Sequence, residues 1–164
     1  MNSLDLAWAE GRDLVLIEGC DGAGKTTLAQ TIAATRGVEA RHSSITPDGI
    51  DLLTWYLNIL TQPGPLVLDR CFLSEPVYGL LYRGRSRLTA ADITHLTRQV
   101  TQRNGLFVHV TAEPLVLHRR LLTRGETNTP TIAELTRIVH TYEQTFAQLA
   151  LYAACVRIDT TPIG

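Results

Sequence analysis

One stretch of the sequence decides the fold: Gly19-Cys20-Asp21-Gly22-Ala23-Gly24-Lys25-Thr26-Thr27. The apolar run Leu14-Val15-Leu16-Ile17 precedes it, and a helical pattern begins at Leu28. The stretch fits G-x-x-x-x-G-K-[ST] between a strand and a helix, which is a loop that holds phosphates. Glycine lets the backbone approach phosphate oxygens closely, and amides at a helix N-terminus favour negative charge. The stretch therefore predicts binding of a nucleoside triphosphate.

Within this loop, two side chains have predicted roles in chemistry. Lys25 is expected to reach the β- and γ-phosphates of ATP, and the hydroxyl of Thr26 is expected to bind Mg²⁺. The other loop residues predicted to bind ATP are Gly19, Asp21, Gly22, Ala23, Gly24 and Thr27.

Composition limits the class of protein. The 164 residues are 45% hydrophobic and carry a net charge of −1, which indicates one globular domain with no general attraction to nucleic acids or membranes. The three cysteines lack disulfide or metal-binding spacing, which is typical of a cytoplasmic protein. The N-terminal residues lack the cationic start of a signal peptide, and no apolar run approaches the roughly 20 residues of a membrane span.

Hydrophobic runs and helical patterns alternate along the chain. Strands are predicted at Leu14–Glu18, Glu39–Ser44, Leu66–Asp69, Leu106–Val110 and Val156–Asp159. Helices are predicted at about 24–35, 48–60, 76–82, 89–102, 114–124 and 131–149. This order predicts an α/β fold with a five-stranded parallel sheet and helices on both faces, in a single domain 1–164 with an N-terminal extension at 1–12. Ligands in such sheets bind at the carboxyl ends of the strands.

A carboxylate and an arginine follow the third strand directly. Asp69 is predicted to bind Mg²⁺ together with Thr26, or to accept a proton from an attacking hydroxyl, and Arg70 to hold a second phosphate. The alternative is that Asp69 only caps the end of its strand.

These motifs resemble those of the thymidylate kinase family and its relatives among P-loop nucleoside and nucleotide kinases. The loop is similar to the family's G-x-D-G-x-G-K-[ST]-T. Residues 69–79 resemble D-R-Y-x-x-S-x-x-A-Y-Q, with Asp69, Arg70, Ser74 and Tyr78 coinciding. The resemblance implies a P-loop NTPase fold, ATP and Mg²⁺ as cofactors, and catalytic roles for Lys25, Asp69 and Arg70. It implies substrate contacts from Asp21, Arg70, Phe72, Ser74 and Tyr78, with Asp21 near the acceptor's 3′-hydroxyl. For Phe72 and Tyr78, packing in the core is the alternative.

The resemblance extends to the second half of the chain. Arg120-x-x-x-Arg124 is similar to the lid of the family, at about 120–131, whose arginines close over the transferred phosphoryl group. Arg119 is a competitor for this catalytic role, and a solvated basic helix face is the alternative. Thr160 lies in a segment that resembles the loop beside the adenine of ATP.

The acceptor is less well defined, because the sequence departs from the family pattern where the acceptor binds. Cys71 replaces the usual Tyr, Gly79 replaces the Gln that reads thymine, and helix 48–60 contains no Arg for an acceptor phosphate. Three functions follow: a kinase for a (deoxy)nucleoside monophosphate, including a modified or unusual pyrimidine nucleotide; a kinase for a hydroxyl of a nucleoside or of a modified base in DNA; and a non-catalytic NTP-binding module.

Two surface features and the histidines complete the predictions. Arg83, Arg85 and Arg87 are interpreted as a solvated loop, in preference to a site for a further phosphate or a polynucleotide. Helix 89–102 is where relatives often form homodimers. No role is assigned to His42, His109 or His118, because they share no metal-like spacing.

Overall fold

The computed structural model describes residues 6–43 and 46–162. Its five strands are β1 (Leu14–Gly19), β2 (Ala40–His42), β3 (Leu66–Asp69), β4 (Gly105–Thr111) and β5 (Cys155–Asp159). Its α-helices are α1 (Lys25–Arg36), α2 (Leu52–Leu60), α3 (Ser74–Arg83), α4 (Ala90–Gln102), α5 (Pro114–Thr123) and α6 (Ile132–Leu149). The predicted N-terminal extension contains a short 3₁₀ helix at Ala7–Ala9.

The strands form one parallel sheet in the order β2-β3-β1-β4-β5, which confirms the predicted fold class. β1 is central: Leu14 pairs with Leu66 of β3 on one side and with Gly105 of β4 on the other. All residues of β1, β3 and β4 are buried, as expected for parallel strands covered by helices on both faces.

The helices cover the sheet and begin at side chains that cap them. α1 packs against β1, β2 and β3, whereas α4 and α6 pack against β4. Thr89 and Thr131 each form a capping box with the acidic residue three positions later, so the predicted starts of α4 and α6 are confirmed. No helix in the described ranges is long and apolar enough to cross a membrane.

Two helices begin elsewhere than predicted. α2 begins at Leu52, not at residue 48, because the Asp51 carboxylate accepts the backbone N–H groups of Leu53 and Thr54. α3 begins at Ser74, before Pro76, since proline is tolerated in the first turn of a helix. The predicted second strand is confirmed as β2 at Ala40–His42, and its predicted end at Ser44 lies outside the described residues.

Candidate active site

The phosphate loop connects β1 to α1 at the carboxyl edge of the sheet. Gly19 has φ of 145°, and a Cβ there would lie 1.9 Å from the carbonyl oxygen of Val110 in β4. Gly24 precedes α1 with φ of 96°, a left-handed conformation that glycine adopts without a steric penalty. Close packing on β4 and the turn into α1 therefore both require the glycines of the motif.

Lys25 lies inside this loop. Its side chain is only 6% exposed, its Nζ donates to the carbonyl oxygen of Cys20 at 2.8 Å, and the Asp21 carboxylate lies 3.9 Å away. Burial, together with the charge of Arg70, lowers the pKa of Lys25. The ammonium group is therefore held where phosphates would approach the loop amides.

Asp69 ends β3 opposite the loop, as predicted. The hydroxyl of Thr26 donates to Asp69 Oδ2 at 2.6 Å, so the two predicted metal ligands lie side by side. Asp69 Oδ1 is buried and has no hydrogen-bond partner among the described residues. A hydroxyl beside a buried carboxylate with one unpartnered oxygen fits Mg²⁺, which prefers oxygen ligands.

The described part of the chain contains no group of three or more His, Cys, Asp or Glu side chains that could hold a metal ion. Mg²⁺ sites of kinases commonly combine one or two protein oxygens with phosphates and water. The pair Thr26 and Asp69 suits such a shared site, and does not suit an ion held by protein alone.

Arg70 occupies a constrained position next to Asp69. Its φ is 69°, in the left-handed region that non-glycine residues rarely adopt, and its guanidinium pairs with the Asp21 carboxylate. The guanidinium also lies 5.2 Å from the ring centre of Tyr78, whose hydroxyl is 3.3 Å from Asp21 Oδ2. Although burial opposes ionisation of Asp21, the charges of Arg70 and Lys25 lower its pKa. Three predicted substrate residues, Asp21, Arg70 and Tyr78, thus form one hydrogen-bonded group.

Glu18 supports the Asp69–Arg70 turn from inside the sheet, a role that the sequence analysis missed. Its side chain is fully buried, and Oε1 accepts the backbone N–H groups of Cys71 at 2.9 Å and Leu73 at 3.1 Å. Burial raises the pKa of Glu18 to about 7, against the lowering effect of Arg70. The two bonds fix the segment that follows Arg70.

A cavity of about 310 Å³ lies on one side of the phosphate loop. Its lining is mostly backbone and short or apolar side chains: Gly22, Ala23, Gly24, Thr27, Leu28, Thr31, Val110, Arg120, Arg124, Ile158 and Thr160. We name it the donor cavity after the prediction that Thr160, which lines it, lies beside the adenine of ATP.

A second cavity, of about 400 Å³, lies on the other side of the loop. Its lining is mostly charged or aromatic: Asp21, Ser43, Thr46, Tyr56, Arg70, Ser74, Glu75, Tyr78, Tyr82, Arg83, Arg87, Glu126, Asn128 and Pro130. We call it the acceptor cavity.

A smaller inner cavity of about 80 Å³ contains Lys25, Thr26 and Asp69, and shares Arg70 with the acceptor cavity and Arg124 with the donor cavity. The loop therefore lies where the two larger cavities approach each other.

The predicted lid arginines occupy different positions. Arg120 donates to the carbonyl oxygens of Gly22 at 3.1 Å and Thr160 at 2.7 Å, which ties α5 to the phosphate loop and to the segment after β5. Arg124 is exposed and lines both the donor and the inner cavity. Arg119 is exposed and lines neither of them. Of the three, Arg124 is the one that lines the inner cavity.

Two predicted substrate residues differ in whether they line a cavity. Phe72 lies fully buried between Tyr56 and Phe107, with ring centres 6.2 and 6.0 Å apart, so it packs in the core and lines none of the three cavities. This is the alternative that the sequence analysis left open. Ser74 lines the acceptor cavity, while its hydroxyl donates to the carbonyl oxygen of Cys71 at 2.9 Å.

His42 also belongs to the site, although no role was predicted for it. It ends β2, lines the inner cavity, and its Nδ1 lies 3.0 Å from Asp69 Oδ2. The sequence analysis judged the histidines by whether their spacing suits a metal site. The feature that indicates a role for His42 is its position at the end of β2. Strand ends of a parallel sheet meet at one edge, and β2 pairs with β3 so that His42 lies beside Asp69.

Solved structures give an independent comparison of the fold. The YorR protein of Bacillus subtilis, in complex with phosphorylated GDP, matches with a TM-score of 0.78 and 20% identity over 90% of this chain and 85% of that one. Deoxyadenosine kinase from M. mycoides with bound dCTP matches with a TM-score of 0.57 and 16% identity, over 88% of this chain and 89% of that one. A gluconokinase from Sinorhizobium meliloti 1021 matches with a TM-score of 0.58 and 17% identity, over 92% and 86%.

No protein-family model matches the chain, and no curated protein has a significantly similar sequence. At these identities the likeness concerns the fold alone. The chain has the α/β fold, with sheet order 2-3-1-4-5, that is found in P-loop kinases.

Proposed function

We propose that this protein is a thymidylate kinase-like enzyme that transfers the γ-phosphoryl group of ATP to the phosphate of a (deoxy)nucleoside monophosphate. The observation that carries the proposal is the arrangement of the cavities. The inner cavity contains Lys25, Thr26 and Asp69, and shares residues with a cavity on each side. A two-substrate transfer needs this arrangement, since donor and acceptor must meet at one point.

The donor side follows from the loop. Backbone N–H groups of Gly22 to Thr27 and the ammonium of Lys25 bind and orient the ATP phosphates. Thr26 and Asp69 would hold Mg²⁺, which when bound would neutralise charge on the phosphate oxygens. Arg124 adds a cation at the edge of the inner cavity and excludes water from the transferred group.

On the acceptor side, Arg70 binds the phosphate of the nucleotide, and Asp21 accepts a hydrogen bond from its sugar hydroxyl. The ion pair between these two residues holds both groups at the junction of the cavities. In the reaction, an oxygen of the acceptor phosphate forms a bond to the γ-phosphorus while the bond to the ADP oxygen breaks. The products are ADP and a nucleoside diphosphate. Little base catalysis is needed, because a phosphate oxygen is already ionised.

The solved structures agree with a role in nucleotide chemistry. YorR is in complex with phosphorylated GDP, and the deoxyadenosine kinase holds dCTP. These ligands support a nucleotide as one substrate of this chain, and the phosphate loop supports ATP as the other.

A kinase that acts on a hydroxyl is the second candidate. It is favoured by α2, which contributes Tyr56 to the acceptor cavity but contains no Arg to hold an acceptor phosphate. In that reaction Asp69 would take the proton from the attacking hydroxyl.

The test is an assay of ADP release with Mg²⁺ and ATP, against nucleoside monophosphates, nucleosides and an oligonucleotide, with product masses measured. We expect diphosphates from monophosphates, and no product from the Lys25→Ala variant. Product formed only from nucleosides or the oligonucleotide would replace the proposal with the hydroxyl kinase. ATP binding without any product would leave a non-catalytic NTP-binding module.

A further inference from the structure

On α3, the guanidinium group of Arg83 lines the acceptor cavity and occupies the space that a side chain at position 79 would need. A Cβ at Gly79 would lie 2.8 Å from Arg83 Nη2 and 2.8 Å from the carbonyl oxygen of Arg85. Glycine at this position therefore makes room for the Arg83 guanidinium against the helix backbone. The departure from the family pattern at residue 79 has a physical reason.

A buried carboxylate fixes this guanidinium. Glu75 is 8% exposed and accepts hydrogen bonds from the side chains of Arg83 and Arg87 and from the backbone N–H of Arg87 at 2.8 Å. Although burial opposes ionisation, the Arg87 N–H and both guanidinium groups lower the pKa of Glu75. The carboxylate is thus ionised and shared between two cations.

Arg83 and Arg87 differ in how many N–H donors remain available to a ligand. Arg87 also donates to the carbonyl oxygens of Thr46 and Pro47 at 3.3 Å, so it joins the β2–α2 connection to α3. Within the described residues, the Arg83 side chain donates one hydrogen bond, to Glu75, and this uses one of its five N–H groups. Its side chain is 40% exposed and lines the cavity, so its remaining donors are available to a ligand.

A flat stacking surface lies on the same helix. The rings of Tyr78 and Tyr82 stack with centres 6.1 Å apart at an angle of 12°, and both line the acceptor cavity. Arg70 lies over Tyr78, and Arg83 is the residue after Tyr82 and lines the same cavity. An acceptor with its phosphate at Arg70 and its base against the two rings would lie in the cavity that Arg83 also lines.

Given the proposed function, we infer that Arg83 reads the base of the acceptor nucleotide and selects a base with two adjacent hydrogen-bond acceptors. Guanine offers O6 and N7, and cytosine offers N3 and O2. Such a pair matches the planar fork of an arginine, which forms two parallel hydrogen bonds with it. Thymine and uracil place an N–H between their carbonyl groups, and adenine places an amino group beside each ring nitrogen of its edge.

Calorimetric binding of dGMP, dCMP, dTMP and dAMP to the whole protein tests this inference without relying on turnover. We expect dGMP or dCMP to bind about tenfold or more tightly than dTMP and dAMP. Arg83→Met and Arg83→Lys should both lose this difference, because lysine keeps the charge but not the fork. Arg85→Met is the matched control: Arg85 is exposed, does not line the cavity, and should retain the difference.

Equal or tighter binding of dTMP or dAMP, or selection that survives in Arg83→Met, would overturn the inference, as would a protein that binds none of the four nucleotides. Comparing dGMP with dCMP shows whether guanine or cytosine supplies the two adjacent hydrogen-bond acceptors. Failure of the proposed function gives a different result, since selection would then be present in calorimetry while no nucleotide yields a diphosphate.

Discussion

The donor and acceptor cavities border the same phosphate loop but are built in different ways. The donor cavity is lined by loop backbone and by short or apolar side chains, such as Ala23 and Ile158. The lining of the acceptor cavity is mostly charged or aromatic, and it comes mainly from α2, α3 and the segments after β2 and α5. The loop and α1 supply more than half of the residues that line the donor cavity, so a local motif specifies much of it. A cavity made mostly of side chains from distant segments can be changed residue by residue, so under the proposed function the acceptor cavity would determine specificity.

The largest effect is expected where the two cavities meet. Asp69→Ala removes the partner of Thr26 and the unpartnered oxygen that suits Mg²⁺. Under the proposed function, both substrates then lose the metal site at which they meet. We expect kcat/KM to fall by about 10²–10³-fold for ATP and acceptor alike, by comparison with other preorganised charge-stabilising groups. Steady-state kinetics measures this effect.

Asp13→Ala is the control, since Asp13 is exposed and precedes β1. A loss confined to one substrate in Asp69→Ala would show that Asp69 serves only one of the two cavities.

The next effect concerns Glu18, which lies in the strand before the loop but holds the turn leading to the acceptor cavity. Its pKa is about 7 when folded and near 4.5 when exposed, so the native state binds the extra proton between these values. Stability from this group is complete below pH 4.5 and is lost as pH rises to about 7, by an amount on the order of 3 kcal/mol. Urea unfolding of wild type and Glu18→Gln at several pH values measures it.

We expect the Glu18→Gln variant to become more stable relative to wild type as pH rises through this window. His109 titrates in the opposite sense: burial lowers its pKa to about 4, so its contribution grows as pH rises from about 4 to 6.5. Both proteins contain His109, and its contribution cancels in the difference. A difference that stays constant with pH would mean that Glu18 remains ionised throughout.

The smallest effects should separate the two lid arginines. Arg120→Met breaks the contacts with Gly22 and Thr160, so we expect KM for ATP to rise about tenfold with little change in kcat. Arg124→Met removes a cation from the inner cavity, and we expect kcat to fall about tenfold with little change in KM. Initial rates at varied ATP and saturating acceptor give both constants. Arg119→Met is the matched control, and the reverse assignment of effects would make Arg120 the closing residue.

Prediction from sequence succeeded where local patterns carry the information. The apolar runs identified β1, β3 and β4, whereas β2 was predicted from a weaker, largely polar segment. Thr89 and Thr131 located two helix starts, because a cap acts within a few residues. The loop and Asp69 were predicted from motifs, and the structure brings them together. The start of α2 was wrong by four residues, because the capping Asp51 was not recognised.

The remaining site residues depend on tertiary contacts. His42 matters through the pairing of β2 with β3, and Glu18 through amides more than 50 positions away. The loop of Arg83, Arg85 and Arg87 was interpreted as solvated, which holds for the exposed Arg83 and Arg85, whereas Arg87 is half-buried. Sequence alone does not show that the fold buries Glu75 and pairs it with Arg83 and Arg87.

The contact between Thr160 and the phosphate loop has a consequence for protein synthesis. The Thr160 hydroxyl donates to the carbonyl oxygen of Ala23 at 2.9 Å across 137 positions of sequence, and accepts a hydrogen bond from Arg120. A ribosome therefore synthesises the loop long before the side chain of Thr160 that supports it at Ala23. A nascent chain arrested before residue 160 should hold ATP more weakly than one that includes it, although it already contains every residue of the loop.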